Sequence, residues 1–301
     1  AFQDISVPHV MDGNQLLAAQ QILPGGAKAI LTLDNGETVY LDENADGRQL
    51  QLAGKQIQID STTLNYSAAD GQVVLSALAY NKVEVPRGGE YTLVLNDGTK
   101  VHLNSMSSLR FPLAFEAGKR EVELAGEAYF EVAKNPEKKF IVSTFHQSQI
   151  EVLGTHFNVE AYEKEARISA TLVEGKIGFI YKSNDVSKKV LMDPGQKLVY
   201  DSKDNKVQLY ATSGESEIAW KEGKIIFRNT PLEEGLRMLE KRYNVEFIIK
   251  NNRLKGDSFT GTFTNQRLER ILEYFRLSSQ IRWRYLDSPD MKDEKSKIEI
   301  Y

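Results

Sequence analysis

The chain has 301 residues, 41% hydrophobic and 27% charged, enough for a sizeable core and two domains by length. Its net charge of −4 argues against a general nucleic-acid binder, and no apolar run is long enough to span a bilayer. With no Cys, disulfides, thiolate metal sites and a cysteine nucleophile are excluded.

The charge is uneven. Residues 219–301 hold 17 Lys and Arg against 13 Asp and Glu, a net of +4, which leaves 1–218 at −8. Such a change of sign suits two domains with different partners.

Residues 1–23 carry weak signals; Val10–Ile22 fits a short helix or an irregular lead-in. From Ile30 to Tyr80 the pattern is β, with Leu50/Leu52 and Ile57/Ile59 alternating with polar residues and Gly36, Gly47, Gly54 and Gly71 at turn-like intervals. Val85–Asn104 reads as a β-hairpin: Tyr91, Leu93 and Leu95 share one face, Asn96-Asp97-Gly98 turns, and Val101 and Leu103 resume the alternation. A weaker copy lies upstream. Pro24, Gly26, Leu31, Leu33, Gly36, Val39 and Leu41 match Pro86, Gly88, Leu93, Leu95, Gly98, Val101 and Leu103 at a constant offset.

Downstream, Arg120–Val132 alternates in two runs with Gly126 as a bend or bulge between them. Strands are expected near 107–112, 140–144, 149–153, 157–162, 167–173 and 176–181, with a hairpin over Lys188–Gln208. Past Gly214 the period changes. Trp220–Phe227 reads as a strand. Thr230-Pro231-Leu232-Glu233 reads as an N-cap, a first-turn Pro and a capping-box Glu, opening a helix on Leu232, Leu236, Leu239 and Tyr243. Strands at 245–249 and 259–263 follow. Then come a helix capped by Asn265, an alternating strand Ile281–Tyr285 and a last strand Ile298–Tyr301. The fold class is thus mainly β over 1–213, as a β-sandwich, a roll or a short β-solenoid. A small α+β domain over 219–301 follows, in the order β-α-β-β-α-β-β.

Little chemistry is legible. His9, His102, His146 and His156 lack metal-binding spacing, and no cofactor motif is present. Glu121/Glu123 and Glu127/Glu131 are carboxylate pairs, but alternating Glu on a strand is the ordinary wet face of a half-buried sheet. Gly154-Thr155 is a candidate self-cleavage site. The Thr155 hydroxyl would attack the Gly154 carbonyl, given strain and a base such as His156. Otherwise no enzyme is expected.

Several segments resemble the FecR family: Val85–Gly89, Leu95–Ser105, Leu124–Val132, Val152–Val159, Leu172–Ile177, Pro194-Gly195-Gln196 and Trp220-Lys221-Glu222-Gly223. The resemblance implies an anti-sigma factor in signal transduction and transcription regulation. Such a regulator has a cytoplasmic segment that binds an extracytoplasmic-function sigma factor, one membrane helix, and a periplasmic sensor. The sensor takes its signal from the signalling domain of an outer-membrane TonB-dependent transporter. The present sequence then corresponds to the periplasmic part alone, without the sigma-binding segment or the helix. The resemblance also implies that some members cleave at the Gly-Thr matching Gly154-Thr155. The partner-binding expectation falls on the edge-strand residues Arg282, Trp283, Arg284 and Tyr285, joined by Lys241 and Arg242. A carbohydrate-binding β-module of the cell envelope is the alternative.

Overall fold

The computed structural model describes residues 22–301 except 46, 48, 53–54, 67–78, 116, 146, 280 and 287–295. The expected lead-in before Ile22, the turn glycines Gly54 and Gly71, and His9 and His146 lie outside the described residues.

Eighteen strands precede residue 212: β1 Ala29–Thr32, β2 Thr38–Leu41, β3 Gln49–Leu52, β4 Lys55–Ile59, β5 Thr63–Asn65, β6 Tyr80–Val85, β7 Tyr91–Val94, β8 Lys100–Leu103, β9 Ser107–Pro112, β10 Arg120–Glu131, β11 Phe140–Thr144, β12 Ser148–Val152, β13 His156–Ala161, β14 Arg167–Glu174, β15 Ile177–Ser183, β16 Val186–Met192, β17 Gln196–Asp201 and β18 Lys206–Ala211. They form two sheets that share β10. One runs β2-β1-β6-β9-β10-β11-β12-β15-β16. The other runs β3-β4-β5-β7-β8-β10-β13-β14-β17-β18.

The shared strand changes sheet at Gly126. Its φ is +109°, and a Cβ there would sit 2.5 Å from Ser107 Cα, so only Gly fits. Residues 123–125 pair with β9, and 128–131 pair with β8. The two sheets curl around one core that includes Leu31, Leu93, Val101, Phe130, Phe157 and Phe179. Each such side chain contributes about 1.5–3 kcal/mol by leaving water.

The internal repeat is real at the level of hydrogen bonds. Leu31 pairs with Val39 as Leu93 pairs with Val101. The Gly36 N–H donates to the Leu33 carbonyl and the Gly98 N–H to the Leu95 carbonyl, both at 2.9 Å, and both glycines have φ +84°. One difference concerns the expected hairpin over 188–208. Residues 186–192 pair back onto β15, and the hairpin is β17–β18.

The α+β region begins with a short helix α1, Glu215–Ile218, and a 3-10 turn. It continues β19 Lys224–Pro231, α2 Leu232–Tyr243, β20 Val245–Ile249, β21 Ser258–Thr264, α3 Leu268–Ser279, β22 Trp283–Leu286 and β23 Ser296–Ile300. The order is β-α-β-β-α-β-β. β19 pairs with β21, while β20 and β22 flank β23. A second core of Phe227, Leu236, Leu239, Leu272, Phe275 and Ile298 lies beneath the helices.

Both expected helix caps are displaced. Thr230 and Pro231 are the last residues of β19, opposite Phe259 and Ser258, so strand pairing claims them. The Thr230 hydroxyl accepts from the Arg228 N–H, and the first helical N–H, of Leu232, donates to the Asp257 carbonyl. Asn265 lies three residues before α3 with φ +51°, and its side chain accepts from Arg242.

Candidate functional site

The β region and the α+β region meet at the C-terminal end of α2. Helix ends leave carbonyls without partners inside the helix. Here the carbonyls of Lys241 and Arg242 accept from the N–H groups of Gly88 (3.0 Å) and Gly25 (2.8 Å). Those two glycines are in the paired Pro-x-Gly loops of the repeat, one before β1 and one before β7. The loops touch: a Cβ on Gly25 would lie 1.5 Å from the Gly88 carbonyl oxygen. Arg242 adds an ion pair to Glu90 at 2.9 Å, and Arg87 donates to the Val245 carbonyl at 3.4 Å.

The Lys241 side chain reaches into the second β sheet. Its Nζ lies 2.7 Å from Glu160, 3.8 Å from Glu127 and 4.1 Å from the centre of the Tyr162 ring. Glu127 is only 7% exposed and accepts from the side-chain amides of Asn104 (2.9 Å) and Asn158 (3.0 Å). Asn158 in turn accepts from the Trp220 indole at 3.3 Å. Burial, then the charge of Glu160, pushes the Glu127 carboxyl up to about 7, against the pull of Lys241 and the two amides. Burial also disfavours ionised Glu160, but the adjacent Lys241 ammonium outweighs it and holds that carboxyl below its ordinary range. Burial works against the Lys241 charge, and Glu160 overcomes it, raising the ammonium pKa. Beside this joint a cleft of about 770 Å³ opens between β14, β17 and the face of α2, with Arg167, Lys197, Arg228 and Arg237 on its walls.

The residues singled out in the sequence fall in three places. Arg282, Trp283, Arg284 and Tyr285 lie on or just before β22, which pairs with β23 and is the edge strand of its sheet among the described strands. Arg282 is exposed. Arg284 is half exposed and ion-paired with Glu299, while Trp283 and Tyr285 pack against the second core. Lys241 and Arg242 are not beside that edge; they belong to the joint. Gly154 and Thr155 form the turn between β12 and β13, where a Cβ on Gly154 would lie 2.7 Å from Lys134 Cα. The buried Thr155 hydroxyl donates to the Lys176 carbonyl at 3.2 Å, and the His156 imidazole sits 3.4 Å from Glu174. His102 lies between Thr92 (3.1 Å) and Glu131 (3.2 Å), and burial lowers its pKa.

Alternation places Glu127 on a wet face, and the structure corrects that. Tyr129 and Phe130 are both buried beside Ala128, a run with no solvent side, and that run was the available signal. The roles of Asn158, Glu160 and Trp220 depend on Lys241 and carry no local signature.

The FecR protein family model matches residues 81–178, and the model for the FecR C-terminal region matches residues 224–289. The chain belongs to the FecR family. The first match holds the bend at Gly126, Glu127 and the Gly154-Thr155 turn; the second holds α2, Lys241 and β22. This FecR chain also resembles two crystal structures of a candidate anti-sigma factor from Parabacteroides distasonis. One matches with a TM-score of 0.64 at 28% identity, covering 73% of this chain and 98% of the other. The second gives 0.63 and 27%, covering 74% and 98%. No curated protein matches the chain.

Proposed function

We propose that this chain is the sensor portion of a FecR-type anti-sigma factor, lying in the periplasm. It would relay a signal from the signalling domain of an outer-membrane TonB-dependent transporter to an extracytoplasmic-function sigma factor. The anti-sigma role itself follows from the family and from the structural neighbours. The observation that supports a docking step is the open edge of β22. An unpaired strand edge offers backbone N–H and C=O groups to a partner strand, and flanking charge sets partner and register. Arg282 is exposed there, in the C-terminal region with a surplus of positive charge. An acidic edge strand is the complement.

The test is titration calorimetry of the full chain against the signalling domain of the transporter encoded beside it, at two salt concentrations. Binding should weaken with salt, and Arg282→Glu should weaken it by about tenfold. Salt-independent binding, equal in the variant, overturns the β22 edge as the dock. No binding at either salt concentration overturns the transporter as the source of the signal.

A further inference from the structure

Ile22, the first described residue, is held by the α+β region as well as leading into the β region. Its carbonyl accepts from the Leu268 N–H at 3.0 Å and so satisfies the first turn of α3 from far away in sequence. Its own N–H donates to Glu269 Oε1 at 3.1 Å, and its side chain packs against the second core. Glu269 is only 2% exposed. The same Oε1 accepts from the Tyr285 hydroxyl at 2.5 Å, and burial followed by this bond raises the Tyr285 pKa. The other oxygen, Oε2, is buried with no hydrogen-bond partner among the described residues. A buried carboxyl with one crowded oxygen and one empty one is a poor way to stabilise a core, and such groups call for an account.

We propose that Glu269 and Tyr285 link the open edge strand β22 to the chain at Ile22, so that occupation of that edge changes the grip of the α+β region on Ile22. Tyr285 lies on the edge strand, and Ile22 N–H and Tyr285 O–H share one acceptor. A shift of β22 that draws the hydroxyl away leaves Oε1 to Ile22 alone. A shift that presses it closer competes with Ile22. The coupling is reciprocal, because whatever Ile22 does to Glu269 is returned to Tyr285. The link rests on the function proposed above only for what occupies the edge. Glu269 is a positioning residue, since it acts through the two groups that it joins.

The experiment is amide hydrogen exchange on the full, partner-free chain. Tyr285 is not a partner of the Ile22 amide, yet Tyr285→Phe should change exchange at Ile22 by about tenfold. Lys28, whose N–H donates to the Glu90 carbonyl, should stay within about twofold, as an uncoupled site does. In the reverse direction, Ile22→Pro removes the N–H. It should change exchange at Arg282 and Tyr301, which bond to each other beside β22. Unchanged exchange at Ile22 in Tyr285→Phe overturns the link, as does an equal rise at every amide, which is loss of stability alone. Neither arm contains a partner, so failure of the transporter to bind sinks the proposed relay and leaves this link standing.

Discussion

Glu127 sits where a strand bends from one sheet to another, and its environment gives it an unusual proton balance. Its carboxyl is pushed up to about 7 from an ordinary 4.5, first by burial and then by Glu160. Between those pH values the folded chain keeps a proton that the unfolded chain has lost. The associated stability is complete below pH about 4.5 and falls as pH rises toward 7, by about 1.4 kcal/mol for each pH unit of difference. Glu160, with its pKa lowered, acts with the opposite sign at acid pH, so the two separate by window. Glu127→Gln should therefore flatten the decline of urea-unfolding stability between pH 5 and 7.5 by roughly 2 kcal/mol. Parallel profiles for the two proteins would show that Glu127 titrates normally. Thr155 makes the contrasting case. Its hydroxyl donates to a peptide carbonyl, which is no base, and the neighbouring imidazole faces Glu174 instead. The expected outcome is an intact chain after days at neutral pH, read by mass spectrometry. A fragment starting at Thr155, lost in Thr155→Ala, would show that the turn rearranges to attack Gly154.

At the level of elements, the two repeat hairpins were legible because everything that fixes them is local: a period of two, a Gly with positive φ, and a short turn. The helix caps were not, because longer-range pairing took the capping residues. Thr230 is a good cap by type, but its place opposite Phe259 keeps it in β19. The same holds at the other end of α2. Its last carbonyls are closed by glycine loops far upstream, which no window of sequence around Lys241 records. Lys241 and Arg242 thus read as a free helix face, although both are ion-paired across the joint. The Pro24-Gly25-Gly26 loop offers a clean comparison of neighbours. A Cβ on Gly25 would collide with the Gly88 carbonyl, while one on Gly26 would meet nothing within 4 Å. Gly25→Ala should cost about 2 kcal/mol or more, and Gly26→Ala about 0.5 kcal/mol or less. Calorimetric melting of the two variants decides it. Equal melting temperatures would mean that the loops separate freely and that the cap on α2 is dispensable.

Across the whole molecule, the change in charge sign fits the joint that the structure shows. The β region, at −8 over 1–218, offers Glu90, Glu127 and Glu160; the α+β region, at +4, answers with Arg242 and Lys241. The link between the two regions runs through Ala211–Glu217, a stretch in which Ser213 and Glu215 are exposed and Thr212 is tied to Gly195 and Glu217. Exposure of residues there permits nicking, but nicking alone should not part the regions, because the joint lies elsewhere and is closed by ion pairs, two helix-capping bonds and the hold on Ile22. The screening length falls from about 30 Å at 0.01 M salt to about 3 Å at 1 M, so the long-range attraction between the two oppositely charged regions weakens with salt, while the partly buried pairs of Lys241 and Arg242 are screened much less. Protein nicked by a protease in 211–217 should therefore elute as one species from a sizing column at low salt. At about 1 M salt the nicked wild-type protein should still run as one species, whereas nicked Lys241→Met, which lacks the ammonium that Glu127 and Glu160 share, should resolve into two fragments. Fragments that part at low salt would reduce the joint to a contact of convenience. Fragments that stay together at 1 M in both proteins would place the adhesion in the capping bonds, the Trp220 contact and the hold of the α+β region on Ile22 rather than in charge.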